Sequence, residues 1–184
     1  VDLAETWASL EPDDTVLLVF AYSPSYSGEV STLADATVAS LVANEVQIVA
    51  VALDPAGVAL ARQTLAKAEQ AHVDYTYGDD YVIAGYLSGY QAGVRSLCEG
   101  WGGLQVDAVH GRSLTEWGVT AELAGAGDVE RVILLADDGA TARMWIEQLG
   151  GCLQVPLDAL VTGQLETVLT PYLLSGQVAH LVAG

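Results

Sequence analysis

Asp54, Asp137 and Asp138, with Ser23 and Thr141, are the residues of this sequence whose types suit chemistry. Three carboxylates accompanied by hydroxyls are a donor set for a hard cation such as Mg²⁺ or Ca²⁺, or for hydrogen bonds to a polar small molecule. What joins them is position, since each closes or follows an apolar run. Tyr22, Ser23, Ser25 and Tyr26 end or follow TVLLVFAY, and Asp54 follows VQIVAVAL. Asp137, Asp138 and Thr141 follow RVILLA, and Thr162 follows LDALV. If those runs are parallel strands, the residues gather beyond the carboxyl ends of the strands, where open α/β sheets bind ligands. A second reading stays open, because Asp54 and Asp138 are also good helix N-caps.

A second feature is YGDDYVIAGYLSGYQAG, Tyr77 to Gly93, with Gly85, Gly89 and Gly93 at four-residue spacing among tyrosines. Read as a helix, Leu87 to Cys98 would place Gly89 and Gly93 on one bare face, with Gly85 at its entrance. Such a face allows close backbone approach. Tyr86 and Tyr90, four apart, would then project together from another face. The tyrosines read either as the edge of a tightly packed helix or as a binding rim formed by Tyr77, Tyr81, Tyr86 and Tyr90.

Several familiar chemistries are excluded. A P-loop needs a Gly-rich turn with Lys and Ser/Thr in register, and the one lysine, Lys67, has no such neighbours. In Gly125-Ala126-Gly127 the third glycine of a dinucleotide fingerprint is missing, and Asp128 stands where a pyrophosphate would approach. His72, His110 and His180 lack the spacing of a zinc site. Ser88 is one residue out of register for a nucleophile elbow. A receiver domain would need an acidic pair after the first strand and a lysine after the last, and neither is present.

The elements that must position the candidates read as follows. Thr15 to Tyr22 and Val46 to Leu53 are buried strands. Between them Glu29 to Glu45 carries Val30, Leu33, Ala34, Val38, Leu41 and Val42 on one helical stripe. Asp54-Pro55 opens a helix to about Ala71. After a Gly-, Trp- and Tyr-rich region, Tyr75 to Asp128, the alternation resumes. Arg131 to Ala136, Leu157 to Val161 and Val178 to Val182 are strands, and Thr141 to Leu149 and Gln164 to Ser175 are helices. Pro171 lies inside the last helix and Gly176 at its end. Short β-α-β connections favour a parallel sheet with right-handed crossovers. The expected fold is one α/β domain over residues 1–184, a three-layer α/β/α sandwich of about five mainly parallel strands, flavodoxin-like or Rossmann-like.

Composition agrees with a sheet buried on both faces: 52% of residues are hydrophobic and 16% charged, with no apolar run long enough for a membrane span. The 24 acidic residues against 6 basic ones, a net charge of −18, exclude nucleic acid as a partner. They suit a solvated surface, or attraction of a divalent cation or a cationic partner. Cys98 and Cys152 read equally as one disulfide or two buried thiols. The sequence begins VDLAETWASLEPDD without Met or a signal peptide, and we expect that a preceding segment has been removed.

Tyr77-Gly78-Asp79-Asp80-Tyr81-Val82 leading to Gly85-Tyr86-Leu87, with ATARMWIEQ (Ala140 to Gln148) and PYLLSGQ (Pro171 to Gln177), resembles an uncharacterised family of bacterial membrane-anchored proteins. The resemblance spans most of the chain. It implies a hydrophobic anchor before the domain and membrane helices after it, so that membrane contact is made only through flanking segments. The domain itself is then expected on the extracytoplasmic side. The chain departs from the pattern at Ser88 and Tyr90, where Pro and Gly are expected. Two functions follow as expectations. The first is a non-enzymatic domain binding a small polar ligand or an envelope protein. The alternative is a hydrolase or transferase using a divalent cation held by Asp54, Asp137 and Asp138, which requires the three carboxylates to converge.

Overall fold

The computed structural model describes residues 7–184, with the backbone alone described for Tyr26 and Ser27. Six strands alternate with helices: β1 (Thr15–Ala21), α1 (Ser27–Ala43), β2 (Gln47–Ala52), α2 (Pro55–Ala71), β3 (Tyr81–Tyr86) and α3 (Gln91–Ser96), then β4 (Arg131–Ala136), α4 (Gly139–Gly150), β5 (Leu157–Val161), α5 (Glu166–Leu174) and β6 (His180–Ala183). The sheet runs β3-β2-β1-β4-β5-β6 and every pairing is parallel. That is the Rossmann order, and it differs from the flavodoxin order. Chain order reverses between β1 and β4, so the crevice that opens there faces the carboxyl ends of both.

Each strand is apolar throughout because both faces are covered. Val16, Leu18, Phe20 and Tyr22 of the first run pack with Val30, Ala34 and Leu41 of α1 and with Leu60 and Leu65 of α2. Leu17, Val19 and Ala21 face the opposite layer, with Val94 of α3, Trp145 and Ile146 of α4 and Leu169 of α5. The expected three layers are therefore present. Among the described residues, no helix is long and apolar enough to cross a membrane.

The correction to the expected strand count is β3. Its YVIAGY lies within the stretch read as leading into a helix over Leu87 to Cys98, and the helix found, α3, is only six residues long. The glycines do three separate things. Gly85 has φ 123° where the β2–β3 register skips a residue. Gly89 has φ 90° in the turn that follows. Gly93 packs so close to the Ser88 carbonyl that a Cβ would collide with it. Two positive φ values are incompatible with a helix interior, so the four-residue spacing does not mark a helical face.

Residues 97–130 form turns and short 3₁₀ segments along the outer edge of β3, where Ala108 N–H donates to the Ile83 carbonyl at 2.8 Å. The disulfide Cys98–Cys152, Cα atoms 5.7 Å apart, joins this segment to the end of α4. At the amino-terminal edge of the sheet the buried Asp158 carboxylate accepts from Trp7 Nε1 at 3.0 Å and Arg131 Nη1 at 2.9 Å, and pairs with His180 Nδ1 at 2.9 Å. It binds together the starts of β4, β5 and β6.

Candidate functional site

The βα turns at the carboxyl edge of the sheet are built from short polar residues because each must leave a buried strand and start a helix. After β2, Asp54 caps α2, its Oδ1 accepting from Gly57 N–H at 2.8 Å, with Pro55 in the first turn. After β4, Asp138 caps α4, its Oδ2 accepting from Thr141 N–H at 2.7 Å. That N–H and the Thr141 hydroxyl hold the Asp138 carboxyl below its ordinary pKa. Both caps were legible in the sequence.

Asp137 does something different. Its Oδ2 accepts from Ser23 N–H at 2.8 Å, a bond that crosses from the β4 turn to the β1 turn at the point where strand order reverses. On either side of this bridge lies a cleft. The first, about 540 Å³, is lined by Ser23, Asp54, Tyr86, Ser88, Tyr90, Asp137 and Thr141. The second, about 770 Å³, is lined by Ser25, Glu29, Asp138, Thr162 and Gln164, and shares Ser23 and Asp137 with the first. Both flank the point at which a sheet of this order binds its ligand.

Of the candidate residues, the first cleft brings together Ser23, Asp54, Tyr86, Tyr90, Asp137 and Thr141, and Asp138 faces the second. The Tyr26 side chain lies outside the described residues. Tyr22 contributes to the cleft wall, but its ring is buried beside Phe20, centroids 6.2 Å apart, and its hydroxyl faces Ser31 and Thr64 without a well-formed hydrogen bond. Burial raises the pKa of that hydroxyl.

The metal arrangement does not form. Among the described residues no group of three His, Cys, Asp or Glu side chains is placed to hold a metal ion. Asp54, Asp137 and Asp138 are each bonded to a separate backbone N–H, Asp54 and Asp138 at helix starts. Helix capping and the β1–β4 bridge account for their positions.

The four-tyrosine rim divides. Tyr81 and Tyr86 sit at opposite ends of β3, roughly 16 Å apart at about 3.3 Å per residue. Tyr86 and Tyr90 are 47% and 77% exposed and line the first cleft. Tyr90 also has φ 48° and ψ −114°, with Ala92 N–H donating to the Gly89 carbonyl. This is a turn with tyrosine at the position type II′ geometry reserves for glycine. Tyr77 and Tyr81 instead pack in an aromatic cluster with His110 and Trp117.

That cluster surrounds a residue the sequence did not single out. Asp107, 2% exposed, accepts from Tyr77 Oη, Val109 N–H and His110 N–H on Oδ2, and from Arg112 N–H and Trp117 Nε1 on Oδ1, at 2.7–3.2 Å. Burial raises its pKa, but the bonds from His110, Tyr77, Arg112 and Val109 outweigh it and the carboxyl ends below its ordinary value. It is a structural hub. Glu29 and Gln164 of the second cleft were also missed, since neither follows a strand directly.

No protein-family model matches this chain, and no curated protein matches it. Among solved structures it is similar to a crystal structure of a protein of unknown function from Vibrio parahaemolyticus, at 14% identity over 92% of each chain with a TM-score of 0.36.

Proposed function

We propose that this chain is a non-enzymatic binding domain that takes a small polar ligand into the cleft between the β1, β2, β3 and β4 turns. The observation that carries the reading is the cleft itself. Its volume of about 540 Å³ lies within the range of small-molecule sites, roughly 300–1,000 Å³. Four successive connections contribute hydroxyls, carboxylates and two exposed aromatic rings to it. The alternative, a cation-dependent hydrolase or transferase, needs converging carboxylates, and here each is bonded to its own N–H. We place the domain outside the cytoplasm, tethered to a membrane through flanking segments. The family resemblance suggests the tether, and the Cys98–Cys152 bond supports an oxidising compartment.

Thermal unfolding with EDTA, Mg²⁺, Ca²⁺ and a panel of polar metabolites tests the reading. A ligand at 100 times its Kd stabilises the folded state by about 2.7 kcal/mol, roughly 5–10 °C for a chain this size. A metabolite shift weakened by Asp137→Asn supports the assignment. A shift with a divalent ion alone favours the enzyme. No shift with any member rejects the small-ligand reading and leaves an envelope protein docking at Tyr86 and Tyr90.

A further inference from the structure

We infer that the ligand of this cleft is a small organic cation, an ammonium or guanidinium compound. The inference rests on the cleft being the ligand site. Helix starts ordinarily give a Rossmann sheet an anion-binding edge, because each contributes free N–H groups and about half a positive charge. At α2 and α4 that capacity is filled from within. Asp54 occupies the start of α2 and Asp138 the start of α4. Glu29 lies in the first turn of α1, where its Oε2 accepts from Gly163 N–H at 3.1 Å. Asp137 adds a fourth carboxylate between them. Even with half a positive charge at each of the five helix starts, these four whole negative ones leave the edge negative.

Nothing in the lining offsets this. Among the described residues no Lys, Arg or His lines either cleft. Arg143, near Asp138, turns its guanidinium to the Gly139 carbonyl. A phosphate or carboxylate ligand in this cleft would have to displace the Asp54 cap and approach Asp137. A cation meets the opposite situation. Asp137 uses Oδ2 on Ser23 and Asp54 uses Oδ1 on Gly57, and within the described residues their other oxygens make no hydrogen bond. Tyr86 and Tyr90 present exposed rings to the same space, and an aromatic face attracts a cation. Carboxylates with tyrosines beside them form a site for N–H donors or a methylated ammonium, with Ser23, Ser88 and Thr141 as polar neighbours.

The experiment is a calorimetric titration of the whole domain with matched probes: choline against its neutral carbon isostere 3,3-dimethylbutan-1-ol, agmatine and putrescine against neutral diols, and citrate and AMP as anions. The expected result is binding of at least one cation at least tenfold tighter than its neutral match, weakening as salt rises. Asp137→Asn and Asp54→Asn each keep an oxygen for the N–H they serve and remove the charge. Each is expected to lower cation affinity at least tenfold with the unfolding temperature held. Tyr86→Leu is expected to weaken choline more than putrescine. Tighter binding of a neutral or anionic probe at the cleft, or cation affinity unchanged in both Asp variants, overturns the cation assignment and leaves the cleft as the site. A panel in which nothing binds overturns the reading of the cleft as a ligand site, and this inference with it.

Discussion

Tyr90 holds a backbone conformation that costs a residue with a side chain about 1–3 kcal/mol, yet most of its surface is in solvent, so core packing does not require it. Tyr90→Gly should therefore stabilise the fold by about 1 kcal/mol, part of the relief being offset by glycine's greater freedom when unfolded. The same change should weaken whatever the cleft binds. Urea unfolding and a ligand titration on one preparation measure both, and a loss of stability would remove the strain argument. Asp107 is the opposite case. Asparagine there would set an NH₂ group against donors now bonded to a carboxylate, costing about 3 kcal/mol at pH 7. Because the folded-state pKa is lowered, the stability Asp107 contributes is present above its unfolded value and lost as pH falls through the folded one. The gap between wild type and Asp107→Asn, followed by circular dichroism, should narrow as pH drops below about 4.

At the scale of elements, the sequence carried β4 and β5 to the residue and the other predicted elements to within two residues or so at most ends, because apolar runs and caps are local signals. It also carried most of the site, because residues closing parallel strands gather at one edge whatever the crossovers are. It did not carry β3. Glycine spacing looks the same whether the glycines line a helix or occupy positive φ, and only the folded backbone distinguishes the two. The turn at Tyr90 had one signal, a tyrosine where the resembled pattern has glycine. The fate of Tyr22 was legible in principle, since period-two alternation puts it on the same face as Val16, Leu18 and Phe20. The Cys98–Cys152 pairing was not, because 54 residues separate two cysteines that meet only once α3 and α4 pack. A loop of that length gives a chain-entropy stabilisation on the order of 4 kcal/mol. Dithiothreitol, or replacement of both cysteines by serine, should lower the unfolding temperature by roughly 8–16 °C. An unchanged temperature would mean that the bond does not form in solution.

For the whole molecule, charge dominates. With 24 acidic and 6 basic residues, the resolved ion pairs Lys67–Asp35, Arg112–Glu116 and Arg131–Asp158 leave most carboxylates unpaired by a basic side chain. Self-repulsion opposes the compact state, and salt screens it over a Debye length that shrinks from about 30 Å at 0.01 M to 10 Å at 0.1 M. Raising sodium chloride across that range should raise the unfolding temperature while weakening any cationic ligand. Calorimetry at two salt concentrations reads both effects, and their opposite signs separate screening from a general effect on hydration.

The bridge from Ser23 N–H to Asp137 Oδ2 stitches the two halves of the sheet together where their chain order parts. An amide proton held by a carboxylate resonates downfield of its neighbours in a proton–nitrogen correlation spectrum. A cation arriving at the other oxygen of the same carboxylate would draw electron density away from that bond and move the resonance upfield. One amide thus registers occupancy of the cleft directly, before the ligand has a name.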